Sequence, residues 1–327
     1  MGEPKVWTGG GEGKSAMVPA ANRPFCIYHA GCIDGFAAAW VVRRYFLGLE
    51  PRQEVEFHAA QYGEPPPDVT GRDVIMVDFS YKRAEIYHMI AREGGARSIL
   101  VLDHHKTAEQ ELAEFRTPEP RWEDHLESVY LDCVENIPEP SVYALFDMAR
   151  SGAGLAWDYF FPSLARPRLI QHVEDRDLWR FRLAETRDLH ACLSSYPYDF
   201  DTWDDLARRL RHQSGLAGMA KDGRAIDRKL QKDIAAILAT PPRTMVIGGI
   251  EVPVVNAPGI WASDLAGKLA ETAPFAAVYF DMPHARVFSL RSRGGTGVDV
   301  QDIAKRYGGG GHRNAAGFQR PLGWEGD

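Results

Sequence analysis

Asp103, His104 and His105 stand side by side at the end of the short apolar run Ser98-Ile99-Leu100-Val101-Leu102. A carboxylate and two imidazoles at one point can hold a divalent cation or pass a proton. Taken alone, the triplet fits a solvated loop equally well. Related arrangements recur elsewhere in the chain. Phe25-Cys26-Ile27-Tyr28 leads into His29, and after a short glycine-containing turn Asp34-Gly35 opens an alanine-rich apolar segment. Val74-Ile75-Met76-Val77 runs directly into Asp78. Asp175-Arg176-Asp177 follows Leu169–Glu174, where the end of a solvated helix explains the charges just as simply. Packing favours apolar or capping residues at strand ends, so successive runs that end in ligand-type residues point to one shared site. Histidines and carboxylates without clustered thiolates suit Mn²⁺ or Mg²⁺ better than zinc. Several carboxylates together imply more than one ion, because one cation rarely offsets that much buried negative charge.

The elements that must carry these residues alternate in the first half of the chain. Strands are predicted over Phe25–His29, Val55–Ala60, Asp73–Asp78, Ser98–Leu102 and Ser128–Leu131, with helices over Gly35–Phe46, Arg83–Arg92 and Ala108–Glu114. That order is the signature of a doubly wound parallel sheet, whose ligands gather outside the carboxyl ends of the strands. Helices follow over Val142–Phe160 and Leu164–Glu174, interrupted at Ser151-Gly152 and at Pro162, then a long, basic-rich amphipathic stretch over Asp204–Leu238 with no strong turn signal except Gly215–Gly218 and Gly223. Pro241-Pro242 ends that stretch, because proline removes a helix donor and restricts the residue before it. Beyond it, strands are expected at Met245–Ile247, Val252–Val255, Ala276–Phe280 and Val287–Leu290, with helices at Ala262–Glu271 and Val300–Tyr307. The division expected is a loose tail over 1–22, a catalytic domain over 23–200, a helical connector over 201–242 and a smaller mixed α/β domain over 243–327.

Composition narrows the function classes. The 38 Lys and Arg residues against 45 Asp and Glu give a formal net charge of −7, which disfavours long duplex DNA and anionic membranes as partners. Apolar residues at 45% suffice for packed cores, and no run approaches the ~20 apolar residues that span a bilayer. The cysteines, Cys26, Cys32, Cys133 and Cys192, form no CxxC pair and fit a reducing, cytoplasmic compartment. Between Arg286 and Arg320 seven basic residues face only Asp299 and Asp302, a basic island in an acidic protein.

His29…Asp34-Gly35, Asp78, Asp103-His104-His105 and Asp177 resemble, in order, the four motifs of the DHH phosphoesterase superfamily. Ser289-Leu290-Arg291-Ser292, Asp299–Ala304 and Gly308-Gly309-Gly310-Gly311-His312-Arg313-Asn314-Ala315-Ala316-Gly317-Phe318 resemble its associated C-terminal substrate domain, DHHA1. The likeness runs from about Phe25 to Phe318 and is nearest to the bacterial oligoribonuclease (nanoRNase) and phosphoadenosine-phosphate phosphatase group. It implies a two-metal, usually manganese-dependent phosphoesterase with its active site in the cleft between the domains. His29, Asp34, Asp78, His104 and Asp177 would hold the ions, Asp78 bridging them, with Mg²⁺, Zn²⁺ or Fe²⁺ as alternatives to Mn²⁺. Two such ions generate a hydroxide near neutral pH. His105 would contact the scissile phosphate or the leaving group, and Asp103 would orient the pair as a supporting carboxylate, a further ligand or part of the catalytic set. Gly309, Gly310 and Gly311 would bring backbone amides to a phosphate, with Arg291, His312 and Arg313 as charged donors.

Two points stay open. Many relatives carry Asp-x-Asp-Gly in the first motif, whereas here Cys32 stands at the first position, as a thiolate ligand or as a small buried residue. The last ligand lies between Asp175 and Asp177. The expected substrate is short single-stranded RNA or a small nucleotide, cleaved at a phosphodiester or terminal phosphate. Cyclic dinucleotides, phosphoadenosine phosphate and polyphosphate or pyrophosphate are alternatives, as is a degenerate nucleotide-binding regulator. A homodimer is compatible with the resemblance.

Overall fold

The computed structural model describes residues 23–91, 95–134, 141–294 and 298–327; the tail expected over 1–22 lies outside them. The first unit runs β1 (Phe25–His29), α1 (Ile33–Leu47), β2 (Glu56–Ala60), β3 (Asp73–Val77), α2 (Arg83–Ala91), β4 (Ser98–Asp103), α3 (Lys106–Glu111), α4 (Trp122–Val134) and β5 (Val142–Phe146). Helices α5 (Gly152–Phe160), α6 (Arg168–Asp177), α7 (Thr186–Leu193), α8 (Phe200–Leu210) and α9 (Gln213–Leu238) follow.

The strands form one parallel sheet of order β2-β1-β3-β4-β5. Every residue of β3 and β4 is buried, as the near-continuous apolar runs require of strands covered on both faces. Alternate residues serve opposite faces. Cys26, Ile75, Val77, Leu100 and Leu102 pack with α1, α5, α6 and α8, whereas Ile27, Val74, Met76, Ile99 and Val101 pack with Ile86 and Met89 of α2. Helix α1 is small-chained where it meets the sheet, and Trp40 and Phe36 behind those alanines are almost fully buried. Burying such a side chain stabilises the fold by roughly 1.5–3 kcal/mol. In this strand order the chain reverses direction between β1 and β3, which makes their carboxyl ends the place where a ligand crevice opens.

The expected strand at Ser128–Leu131 is wrong: these residues lie in α4, where Trp122, His125 and Val129 recur at helical spacing and face the core. The edge strand is instead β5, the Val-Tyr-Ala-Leu-Phe run that the sequence reading absorbed into a helix over Val142–Phe160. Short apolar runs do not distinguish strand from helix by periodicity. The glycines of α9 are not breaks either. A Cβ at Gly223 would lie 1.7 Å from the Asp188 carbonyl oxygen, so the glycine is a notch into which α7 packs. The actual break falls at Arg211–His212.

After α9 come β6 (Arg243–Ile247), β7 (Ile250–Asn256), α10 (Ala262–Leu269), β8 (Phe275–Met282), β9 (Ala285–Ser292), α11 (Val300–Arg306), β10 (Gly310–His312) and β11 (Ala315–Arg320). They build a mixed sheet of order β10-β11-β9-β8-β7-β6 in which only β7 and β8 are parallel. Leu216 and Met219 at the start of α9 join the first core, and Ile234 near its end packs with Leu265 and Val278 of the second unit. The β10–β11 hairpin brings the two units together: Gly310 faces Thr107 of α3, and Lys305 Nζ donates to Gln110 Oε1 at 3.2 Å. Among the described residues, no helix is long and apolar enough to cross a membrane.

Candidate metal centre

His29, Asp78 and Asp103 leave neighbouring parallel strands at the same edge, so their side chains converge for a topological reason. Asp78 has φ of 54°, an uncommon left-handed conformation for a non-glycine residue that costs of order 1–3 kcal/mol and is found where geometry serves a site. Two glycines make room for it. A Cβ at Gly152 would lie 2.4 Å from Asp78 Cβ, and one at Gly35 would lie 2.4 Å from the His29 carbonyl oxygen.

His104 Nε2 is 3.0 Å from Asp78 Oδ1, 3.7 Å from Asp177 Oδ2 and 3.8 Å from Asp34 Oδ2. On the other side, His29 Nδ1 is 3.5 Å from Asp78 Oδ2. Potential ligand atoms of Asp34, His104 and Asp177 lie within 4.8 Å of one another, as do those of His29, Cys32 and Asp78. Asp78 thus touches both sets, one oxygen toward each. The donor set fits divalent cations. Neighbouring oxygens on an octahedral ion with ~2.1 Å bonds stand about 3 Å apart. Asp78 Oδ2 and Asp177 Oδ2 are moreover buried without a hydrogen bond, a cost that cation binding would remove.

The electrostatics agree. Burial, with Asp78 and Asp177 nearby, pushes Asp34 well above the usual carboxylate range, and burial likewise raises Asp177. Burial acts the same way on Asp78, but the His104 hydrogen bond and the nearby His104 and His29 imidazoles prevail and hold it well below 3.8. The Cys32 thiol is pushed up, first by burial and then by Asp78, Asp177 and Asp34. It therefore stays a thiol unless a cation offsets those carboxylates.

Asp103 and His105 form a second pair. Asp103 Oδ1 accepts from His105 Nδ1 at 2.7 Å and from the His104 backbone amide at 2.7 Å. Asp103 therefore fixes the His105 ring, whereas the His104 ring is oriented by Asp78. Burial lowers the His105 pKa, but Asp103 more than offsets this and the net shift is upward. His312 of β10 stacks on His105 with ring centroids 4.6 Å apart and approaches His104 at 4.8 Å. Burial, and then His105 and His104, hold His312 at about 3, so it is neutral.

Among the sequence-derived candidates, His29, Cys32, Asp34, Asp78, Asp103, His104, His105, Asp177 and His312 come together. Asp175 does not: its carboxylate accepts from the amides of Arg182 and Leu183 and from Thr186 Oγ1, which fixes the turn after α6. Arg313 is exposed, and its carbonyl accepts from Val300 N. Gly310 and Gly311 belong to a strand, not to an open loop. A Cβ at Gly309 would lie 2.1 Å from the Gly317 carbonyl oxygen, and Gly311 has φ of 138°, so both are demanded by the hairpin itself. Arg291 is held by Ser263 Oγ, Ser289 Oγ and the Leu290 carbonyl. The basic island also divides, since Arg286 is tied to Asp281 and Glu325 on the far side of β9.

The sequence reading placed a break at Ser151-Gly152, where α5 starts, but gave that helix start no part in the site. The Gly152 and Ala153 amides donate to Asp34 Oδ2 and Oδ1 at 2.6 and 3.2 Å, so this helix N-terminus holds the buried carboxylate. Ser151 caps the same helix, and its amide donates to Glu174 Oε2, which Arg166 and Arg180 hold in place. The signal was present as a serine one residue before Gly152, a common N-cap type. Tyr62, with its ring 5.4 Å from His29 and 6.1 Å from His105, was also missed because it lies in a loop without periodicity.

No protein-family model matches the chain. An uncharacterized protein of Acanthamoeba polyphaga mimivirus is 27% identical over 315 residues, covering 89% of this chain and 66% of that protein. The chain therefore spans a little under two thirds of that relative's length. Among solved structures, the chain is similar to exonuclease RecJ bound to manganese (15% identity, 90% of this chain and 85% of that one, TM-score 0.43). It is also similar to the DHH domain of a member of a ribosomal-protein family (14% identity, 90% and 82%, TM-score 0.47).

Proposed function

We propose that the protein is a metal-dependent phosphoesterase of the DHH type, acting on phosphodiester or terminal phosphate bonds of short oligoribonucleotides or small nucleotides. The observation that carries this reading is Asp78, whose carboxylate joins the His29–Cys32 set to the Asp34–His104–Asp177 set. These six residues would hold two divalent ions, Mn²⁺ best matching the mixed imidazole and carboxylate donors. When bound, the ions lower the pKa of a water toward ~7 and offset charge on the attacking and leaving oxygens.

The protein's own groups do the rest. Asp103 holds His105 through Nδ1–H and favours its protonated form, so the imidazolium can give its Nε2 proton to the departing oxygen and be left as the neutral Nδ1–H tautomer. The neutral His312 ring packs against His105 and keeps water from that face. Arg291, positioned by two serines, supplies a charged donor for a substrate phosphate through Nη2. Cys26, Cys32 and Cys192 are free thiols, which supports the expected reducing compartment. The test is a substrate panel with the Mn²⁺-loaded protein: di- to pentaribonucleotides, phosphoadenosine phosphate, cyclic dinucleotides and polyphosphate. Hydrolysis of the short oligonucleotides is expected, and failure on every member would overturn the reading.

A further inference from the structure

Directly after the ligand Asp177, the chain makes a structure that the metal centre does not use. Arg176 lays its guanidinium 4.2 Å from the Trp179 ring and 5.8 Å from Phe181, and Arg187 of α7 lies 4.7 Å from the same Phe181 ring. Among the described residues, neither guanidinium has a hydrogen-bond or ion-pair partner, and the charges of Asp264 and Asp177 reach Arg176 only at longer range. Arg43, Arg150, Arg166, Arg180, Arg224 and Arg286, by contrast, are paired with carboxylates. Two like charges gathered on one aromatic ring repel each other unless an anion lies between them.

The aromatic residues are equally specific. Trp179 is 47% exposed although it adjoins a buried site. Trp179 and Phe181 both have left-handed backbones, with φ of 55° and 50°. The turn is nevertheless rigid, because the Arg180 and Phe181 amides both donate to the Asp175 carbonyl. A cavity of about 270 Å³ opens beside it, lined by Phe181, Leu183, Glu185, Thr186, Arg187 and Asp188. An exposed indole on a fixed turn, flanked by unpaired guanidiniums, is what a nucleobase and its phosphate require.

We propose that Arg176, Trp179, Phe181 and Arg187 form a nucleotide subsite next to the metal centre, which stacks one base of a single-stranded substrate and binds the adjoining phosphate. The proposal rests on the phosphoesterase reading of that centre and sharpens it: the substrate bears bases, and inorganic polyphosphate does not fill the subsite.

The test is equilibrium binding of a fluorescein-labelled triribonucleotide with phosphorothioate linkages, by anisotropy, over a range of salt. Trp179→Ala should weaken binding about 5- to 100-fold and Trp179→Phe should largely restore it, since stacking needs only a ring. Arg176→Gln should lower the slope of log affinity against log salt by ~0.7, the value for one single-strand phosphate contact. A trinucleotide lacking bases should bind the wild type as weakly as the normal one binds Trp179→Ala. Unchanged affinity in both variants, or equal affinity for the base-free strand, overturns the subsite. Hydrolysis by the Mn²⁺-loaded wild type is scored separately. Lost binding in the variants beside an inactive wild type keeps the subsite and sinks the phosphoesterase reading, whereas an active wild type with unchanged binding does the reverse.

Discussion

At the scale of single residues, the Asp103-His104-His105 triplet divides its labour through its carboxylates. His104 answers to Asp78, and His105 answers to Asp103. Asp103→Asn should therefore lower kcat about 10- to 100-fold while metal content stays near wild type, as is usual for carboxylates that orient a working imidazole. Metal analysis beside steady-state rates checks this; loss of metal would make Asp103 a ligand instead. Cys32 belongs to the His29–Asp78 set. Cys32→Asp and Cys32→Ser should both weaken Zn²⁺ and Fe²⁺ relative to Mn²⁺ in competitive metal binding, because each removes the soft thiol donor. Identical preferences in all three proteins would return Cys32 to a packing role.

At the scale of elements, strand ends and a helix start build the centre. Gly152→Ala would drive a methyl into Asp78 Cβ and disturb the amides that hold Asp34. A loss of about 1–3 kcal/mol in unfolding stability is expected, with reduced metal occupancy, read by denaturant titration and metal analysis. The ligand-bearing strands were legible in the sequence because buried parallel strands read as continuous apolar runs, and each run ended in His29, Asp78 or Asp103. The break at Ser151-Gly152 was legible too, but its part in the site was not, because that part is two backbone amides that carry no side-chain signature. Strand β5 was misread because five apolar residues fit either period. The glycine-rich hairpin was recognised but given the wrong shape: its glycines allow close approach between β10 and β11, a constraint visible only once Gly317 is opposite Gly310.

At the scale of the whole molecule, the acidic centre stores unfavourable charge that cations relieve. In the metal-free protein Asp34 and Asp177 have folded pKa values raised above 3.8, and His104 has one raised above 6.5. At these groups the folded state binds more protons than the unfolded chain. His312 and His190, both held at about 3, and His172, also lowered, act in the opposite sense up to about pH 6.5, so metal-free stability should fall as pH rises above about 6.5, where only the raised groups still titrate. The opposite contributions of Asp78 and Asp103, whose pKa values are lowered, act below 3.8. Mn²⁺ bound at these carboxylates would replace those protons, so the rise in Tm on adding Mn²⁺ should grow between about pH 5 and 8. A Tm gain that is flat over this range would contradict the placement of the ions.

In the proposed reaction, two cations shared through Asp78 would carry out phosphoester hydrolysis. The most direct measurement pairs Mn²⁺ stoichiometry with triribonucleotide hydrolysis in the wild type, His104→Ala and Asp78→Ala. Two ions per wild-type chain are expected, with fewer in each variant and hydrolysis reduced at least 100-fold. Variants that lose metal yet keep full activity would overturn the proposed metal-dependent hydrolysis.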